Sequence, residues 1–201
     1  MTKNTIFEET YQNYISKIQA IDFLAKAELL LVKIQDDSLI VPLYNRNYIV
    51  SSDGIFAKDD LPVTTAVRVI IAKYVLTCNE FDQAAGDPLM TYRDFKGASP
   101  LISYFTTNTN KTLETTFSGR LNLLRSKCRE FGGEERRDPS YDCSFVFKAL
   151  PRVPIVLNFN DIDDLFPANC SILYRASAAE FLDMECLAMT GTLLSGKLIS
   201  I

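Results

Sequence analysis

Histidine is absent from all 201 residues. Its absence removes the commonest general base and the usual imidazole metal ligand together. Ser-His-Asp and Cys-His catalysis, an H-E-x-x-H zinc site and His-ligated haem are therefore excluded. Cysteine is sparse and scattered. Cys78, Cys128, Cys143, Cys170 and Cys186 form an odd set without a C-x-x-C pair. Neither a disulfide framework nor a local zinc knuckle fits that spacing, so each is expected to be a small, reduced core residue. No apolar run has the length that spans a bilayer. The opening MTKNTIFEETYQNY has early carboxylates and no apolar h-region, unlike a secretory signal. A soluble, cytoplasmic protein without a membrane partner is expected. A basic excess is missing too: 21 Lys and Arg against 25 Asp and Glu leave a net charge of −4. Nucleic-acid binders need the opposite balance to displace counterions from phosphates, so no nucleic-acid partner is expected. Both the P-loop pattern and the G-x-G-x-x-G dinucleotide fingerprint are absent.

What is present describes a globular chain. Hydrophobic residues at 47% and charged residues at 23% exclude a disordered composition. The length suits one domain, or one domain built of two similar halves. Residues 5–19 place Ile6, Phe7, Tyr11, Tyr14, Ile15 and Ile18 at helical spacing. Asp22 can cap a second short turn through Lys26. Residues 29–34 read as a strand, with a helix over 25–34 as the alternative. A meander follows, broken at Asp36-Asp37, Asn45-Arg46 and the hairpin signal Asp53-Gly54. Pro42 cannot donate to a ladder, so its strand belongs at an edge or a bulge.

Pro62 suits the first turn of a helix whose apolar face is Val63, Val67, Ile70, Ile71, Tyr74 and Val75. Residues 81–100 read as a loop broken by Gly86, Pro88, Gly97 and Pro100. A long helix is expected from about Asn110 to Gly132, with Leu113, Phe117, Leu121, Leu124, Cys128 and Phe131 in one stripe. Its basic residues Arg120, Arg125, Lys127 and Arg129 read as a solvated face rather than an anion patch. Gly132 is a ready left-handed terminator. Strands are expected over 144–150, 153–159 and 172–174. Ser177-Ala178-Ala179-Glu180 reads as a capping box for a C-terminal helix, with Asp183 available to cap a restart. The fold class is α+β, with antiparallel sheet and packed helices. IVPLYNRNYIV before one helix and IVLNFNDIDDLF before another suggest two related β-meander-plus-helix lobes, over about 20–80 and 144–195.

Three places could carry chemistry. Asn158 to Asp164 hold Asp161, Asp163 and Asp164 beside two amides, hard oxygen ligands suited to Mg²⁺ or Ca²⁺. The central glycine and distal glutamate of an EF-hand are missing, and a self-capped hairpin turn uses the same residues. Arg152 is mounted between Pro151 and Pro154 on extended backbone, suiting an anion or an ion pair to Asp161–Asp164. Arg93, in the Tyr-Arg-Asp-Phe loop, could contact a ligand or partner.

With those residues in view, LPRVPIVLNFNDIDDLFPANCSILYRASAAEFLDMECLAM resembles the domain of unknown function 3786 family, uncharacterised bacterial and archaeal proteins common in anaerobes. The likeness rests on an L-P-x-x-P strand, an acidic turn, a Phe-Pro-Ala step and a Ser-Ala-opened helix. Weaker similarity runs back through the FGG helix end, the YRDF loop, the helix after Pro62 and the hairpin near Tyr48. Relatives often carry a tryptophan before the turn, where Phe159 stands here, and an Asp-Glu-Glu-Phe turn where this chain has Asp163-Asp164-Leu165-Phe166. Some relatives carry the domain beside an iron–sulfur module. The resemblance implies a role in anaerobic metabolism, with any cluster belonging to an iron–sulfur protein partner. The leading expectation is a non-catalytic binding or accessory module, without a cofactor. It would recognise a partner protein or an anionic small molecule through Arg152, Arg93, Asp161, Asp163 and Asp164. A divalent-metal enzyme using the same three aspartates, for hydrolysis or phosphoryl chemistry, is the alternative. A structural subunit of a larger complex is a third.

Overall fold

The computed structural model describes residues 3–78, 80–81 and 86–200. Helix α1 (Lys3–Ile18) buries Tyr11, Ile15 and Ile18 on one face. The side chains of Ile6 and Phe7, expected on that face, lie outside the described set. The Tyr11 hydroxyl accepts the Ile55 N–H at 2.9 Å, which ties the helix to the first sheet. Helix α2 (Phe23–Leu30) starts where Asp22 predicts, its carboxylate accepting the Leu24 and Ala25 N–H groups. Leu31 ends it in the left-handed region, at φ 55°. Both readings of residues 25–34 are thus partly realised: helix to Leu30, then strand only from Lys33.

The first sheet is a meander of β1 (Lys33–Gln35), β2 (Ser38–Leu43), β3 (Arg46–Ser51) and β4 (Gly54–Ala57), in that spatial order. Asp36 and Asp37 take φ of 48° and 54°, the positive pair that a type I′ turn demands. Pro42 sits on an inner strand, yet β1 pairs only as far as Ile40. Beyond that point β2 has a neighbour on one side alone, so the missing N–H is tolerated as at an edge.

Helix α3 (Thr65–Thr77) follows, and Pro62 lies ahead of it rather than in its first turn. Thr64 is the cap, its hydroxyl accepting the Val67 N–H, and Val67, Ile70, Ile71, Tyr74 and Val75 are buried as expected. The expected loop over 81–100, of which residues 82–85 lie outside the described residues, contains a strand, β5 (Leu89–Thr91), and a 3₁₀ turn over Tyr92–Asp94.

The single long helix expected from Asn110 is replaced by a broken one. It begins earlier, as α4 (Ile102–Thr106), passes through a π-helical turn (Thr107–Lys111) and continues as α5 (Thr112–Phe117). Ser118 and Gly119 leave helical geometry, Gly119 at φ 71°, and α6 (Leu121–Glu130) restarts the chain. Its basic face is ion-paired: Arg129 binds Glu135 at 2.6 Å, Lys127 binds Glu130, and Arg125 donates to the Asp142 carbonyl.

The second sheet has the order β5-β9-β8-β7-β6, adding β6 (Glu134–Glu135), β7 (Cys143–Leu150), β8 (Val153–Asn160) and β9 (Asn169–Arg175). Every pairing in both sheets is antiparallel, and the fold is α+β as the patterning predicts. Each half runs meander then helix, β1–β4 into α3 and β6–β9 into the C-terminal helices. The compared segments fall one strand out of step, since β2 is second in its meander and β8 third.

The capping box at Ser177 does not form. Ser177 gives its N–H and hydroxyl to the Asp87 carboxylate, at 2.9 and 2.7 Å, and α7 (Ala178–Phe181) lasts four residues. The restart at Asp183 does form. That residue caps α8 (Met184–Ile199) by accepting the Cys186 N–H, and its other oxygen pairs with Lys73 of α3 at 2.9 Å. Burial alone would raise the Asp183 pKa, but the bonds from Lys73 and Cys186 outweigh it and hold the carboxyl below its ordinary range. A depressed folded-state pKa contributes stability above the unfolded value, lost as pH falls through the folded one. Asp183→Ala is expected to cost about 1–2 kcal/mol at neutral pH, from the cap and a half-exposed ion pair. The gap to wild type should close below about pH 4, as followed by urea unfolding across pH.

One continuous core joins the two sheets and the helices. The sheets meet where the Tyr44 N–H donates to the Ala149 carbonyl at 2.8 Å. Among the described residues no helix is long and apolar enough to cross a membrane.

Candidate functional site

Residues 161–168 join β8 to β9, and the Asp161 and Asp163 carboxylates are turned onto backbone. Asp161 Oδ1 accepts the Gly119 N–H at 2.6 Å and the Ile162 N–H at 2.8 Å. Its own N–H donates to Asp142 Oδ2, while the Asp142 N–H donates to the Asn160 amide oxygen. Asp163 Oδ1 accepts from both Leu165 and Phe166 N–H, at 2.7 Å each, and the Asp163 N–H donates to the Phe166 carbonyl. This is the self-capped turn that Asn and Asp build. Among the described residues no three Cys, Asp or Glu side chains are gathered to hold a metal ion.

Capping has a second consequence. With its backbone committed, the loop turns large apolar side chains outward: Leu165 is 82% exposed, Phe166 67% and Ile162 53%. Asp163 and Asp164 stand among them on the surface. The loop also borders an open cleft of 840 Å³ whose lining includes Lys111, Asn160 and Asn169.

Arg93 lies far along the chain from that loop, in the 3₁₀ turn that follows β5. It stands at the mouth of a cavity of 320 Å³ lined by Ile102, Phe105, Thr106, Asn110, Ser171 and Ile172 among others. Phe105 stacks on Tyr92, ring centroids 4.4 Å apart, and both are buried.

Arg152 is half-buried and committed to structural contacts. It occupies the turn between β7 and β8, at the opposite end of β8 from the acidic loop, so the ion pair considered between them does not form. Its Nε donates to the Leu29 carbonyl at 3.0 Å, its N–H to the Tyr74 hydroxyl, and its guanidinium lies over the Phe81 ring at 5.1 Å. The arginine clamps α2, α3 and the β7–β8 turn together. Three sequence-predicted positions, Arg93, Arg152 and the acidic turn, thus fall in three separate places.

A family model covers residues 22–197. The chain belongs to the family described as Domain of unknown function (DUF3786). Neither a curated protein nor a solved structure matches it. Within the DUF3786 domain lie the acidic loop, Arg93 and Arg152, whereas α1 precedes it.

The domain's thiols are held in the protonated form. All five cysteines are free and buried. Burial pushes the Cys143 thiol up to about 11 and raises Cys78, Cys128, Cys170 and Cys186 as well, so the thiol form dominates at neutral pH. Two features escaped the sequence reading. The outward Leu165-Phe166 pair was visible as an apolar step inside an acidic turn. The convergence of Thr106, Asn110 and Ser171 had no local signal, because it joins a π turn to a strand sixty residues later.

Proposed function

We propose that this DUF3786 domain is a non-catalytic binding module that docks on a partner protein through residues 161–168. The observation that supports this reading most is the loop itself: Leu165 and Phe166 exposed on a backbone pinned by Asp161, Asp163 and Asp142. An exposed apolar pair on a preorganised loop gains burial on association without a large ordering cost. The flanking Asp163 and Asp164 favour a socket with an apolar floor and a basic rim, which sets orientation and encounter rate. An iron–sulfur protein is the first partner to try.

Burying one leucine and one phenylalanine is worth about 1.5–3 kcal/mol each, so Leu165→Ser/Phe166→Ser should weaken capture by about a hundredfold or more. The melting temperature should hardly move, since both side chains are exposed already. A photo-crosslinking residue at position 165, used in native extract, identifies the partner, and recombinant partner then gives the affinity. Leu24→Ser, another exposed leucine, should bind as wild type. Equal loss in both variants, or crosslinking only to a second copy of the chain, would reject the reading.

A further inference from the structure

We propose that the cavity between the π turn, the 3₁₀ turn and β9 is a binding site for a small polar monocarboxylate, with Arg93 holding the carboxylate. This goes beyond the docking loop and does not depend on it.

The cavity is built by an irregularity in the helix. The π-helical turn over Thr107–Lys111 interrupts α-helical geometry between α4 and α5, and such turns widen a helix locally at an energetic cost, often beside ligand sites. Here it brings Thr106 and Asn110 to the wall, opposite Ser171 of β9. The single Thr109 hydroxyl proton goes to the Phe105 carbonyl at 2.5 Å and lies in longer reach of Asn110 Oδ1, at 3.2 Å, while Asn110 Nδ2 makes no hydrogen bond. Thr106, Asn110 and Ser171 are all half-buried. Among the described residues no hydrogen bond engages the Thr106 hydroxyl, the Ser171 hydroxyl, Asn110 Nδ2 or the Arg93 guanidinium, and the charge of Arg93 acts on the neighbouring Asp94 carboxylate. Three neutral polar groups and one permanent cation therefore line one space with hydrogen-bonding capacity open to a ligand.

The charge pattern selects the ligand. Arg93 is the only cation in the lining, and a guanidinium matches a carboxylate in a two-bond fork. Asp94 stands next to it, its Oδ2 held by the Thr91 N–H and hydroxyl at 3.0 and 2.7 Å. Asp94 offsets part of the Arg93 charge and repels any anion, a doubly charged phosphate about twice as strongly as a carboxylate, so the pair favours a monoanion. Ile102, Phe105 and Ile172 supply an apolar floor for the carbon skeleton, and the hydroxyls and amide suit hydroxyl or amide groups on it. The volume of 320 Å³ gives room for a small metabolite.

Ligand-observed NMR titrations of the full chain with glycerate, benzoate and inorganic phosphate test the site. Saturable glycerate binding is expected, with benzoate and phosphate weaker. Arg93→Gln should weaken glycerate by about tenfold or more, the usual worth of a charge-assisted hydrogen bond. Asn110→Ala should weaken it less. Arg129→Gln, at the opposite edge of the sheet, should leave it unchanged. Arg93 is exposed, so its substitution keeps the fold, which a thermal melt verifies. Glycerate binding equal in wild type and Arg93→Gln would overturn the proposal, as would tighter phosphate or no saturable binding of any probe.

Discussion

Glu114→Ala is expected to destabilise the protein by about 3 kcal/mol, and with it to loosen the acidic loop. Glu114 is 8% exposed, one of few buried acids. Its Oε1 accepts the buried Cys170 N–H at 3.0 Å, and its Oε2 takes the Lys111 ammonium at 2.6 Å. Alanine leaves the Cys170 N–H without an acceptor, which costs about 1–3 kcal/mol, and removes buried methylenes besides. Lys111 itself is largely solvated, at 63% side-chain exposure, so the broken ion pair adds little. Glu114→Gln keeps an acceptor oxygen and should cost only about 1 kcal/mol. Urea unfolding of the two variants decides the matter. Glutamine as harmful as alanine would shift the weight from the hydrogen bond to the charge. Because Cys170 is the second residue of β9, two positions after residues 161–168, amide exchange of Leu165 and Phe166 should quicken in the alanine variant.

Gly191→Val should be more damaging still, at about 3 kcal/mol or above. Gly191 lies inside α8, where alanine would ordinarily gain about 1 kcal/mol of helix propensity. A Cβ there would fall 2.5 Å from Phe105 Cε2 and 2.7 Å from the Tyr174 hydroxyl. Neither neighbour can yield. Phe105 is stacked on Tyr92, and the buried Tyr174 hydroxyl donates to the Leu187 carbonyl at 2.9 Å. Overpacking costs about 1–3 kcal/mol for a methyl group, so even Gly191→Ala should be net destabilising, and valine adds two methyls without the propensity gain. Gly196 is the internal control. It lies in the same helix and a Cβ there would meet nothing within 4 Å, so Gly196→Ala should stabilise by about 1 kcal/mol. Thermal melts that ranked the two alanine variants alike would contradict this packing.

The parts of the fold legible in the sequence share one property: their causes lie within a few residues. Asp22 caps α2 from two and three residues away, Asp36-Asp37 closes its own hairpin, and Gly132 ends α6 at φ 82°. The acidic turn is of the same kind. Asp163 reaches only Leu165 and Phe166, so its role as a backbone cap was readable beside the metal alternative. The burial of the cysteines followed from their scatter.

The rest was settled by partners distant in sequence. Ser177 had a suitable Glu180 three residues on, yet Asp87, ninety residues earlier, offered two bonds where the box offered a weaker local pair. The helix expected through Ser118-Gly119 breaks there, and the freed Gly119 N–H meets Asp161 across 42 residues. Arg152 was legible as a rigidly mounted cation, but only packing decided that a backbone carbonyl and a phenyl ring, not an acid, receive it. By itself the sequence determined the α+β class, the meanders, the caps at Asp22 and Asp183 and the absence of histidine chemistry. Tertiary structure alone decided where Arg93 and Arg152 go, that β5 joins the second sheet, and that Thr106, Asn110 and Ser171 share a cavity. The physical reason is that a local bond is available at almost no loop-closure cost, whereas a long-range bond forms only once the core has already brought its ends together.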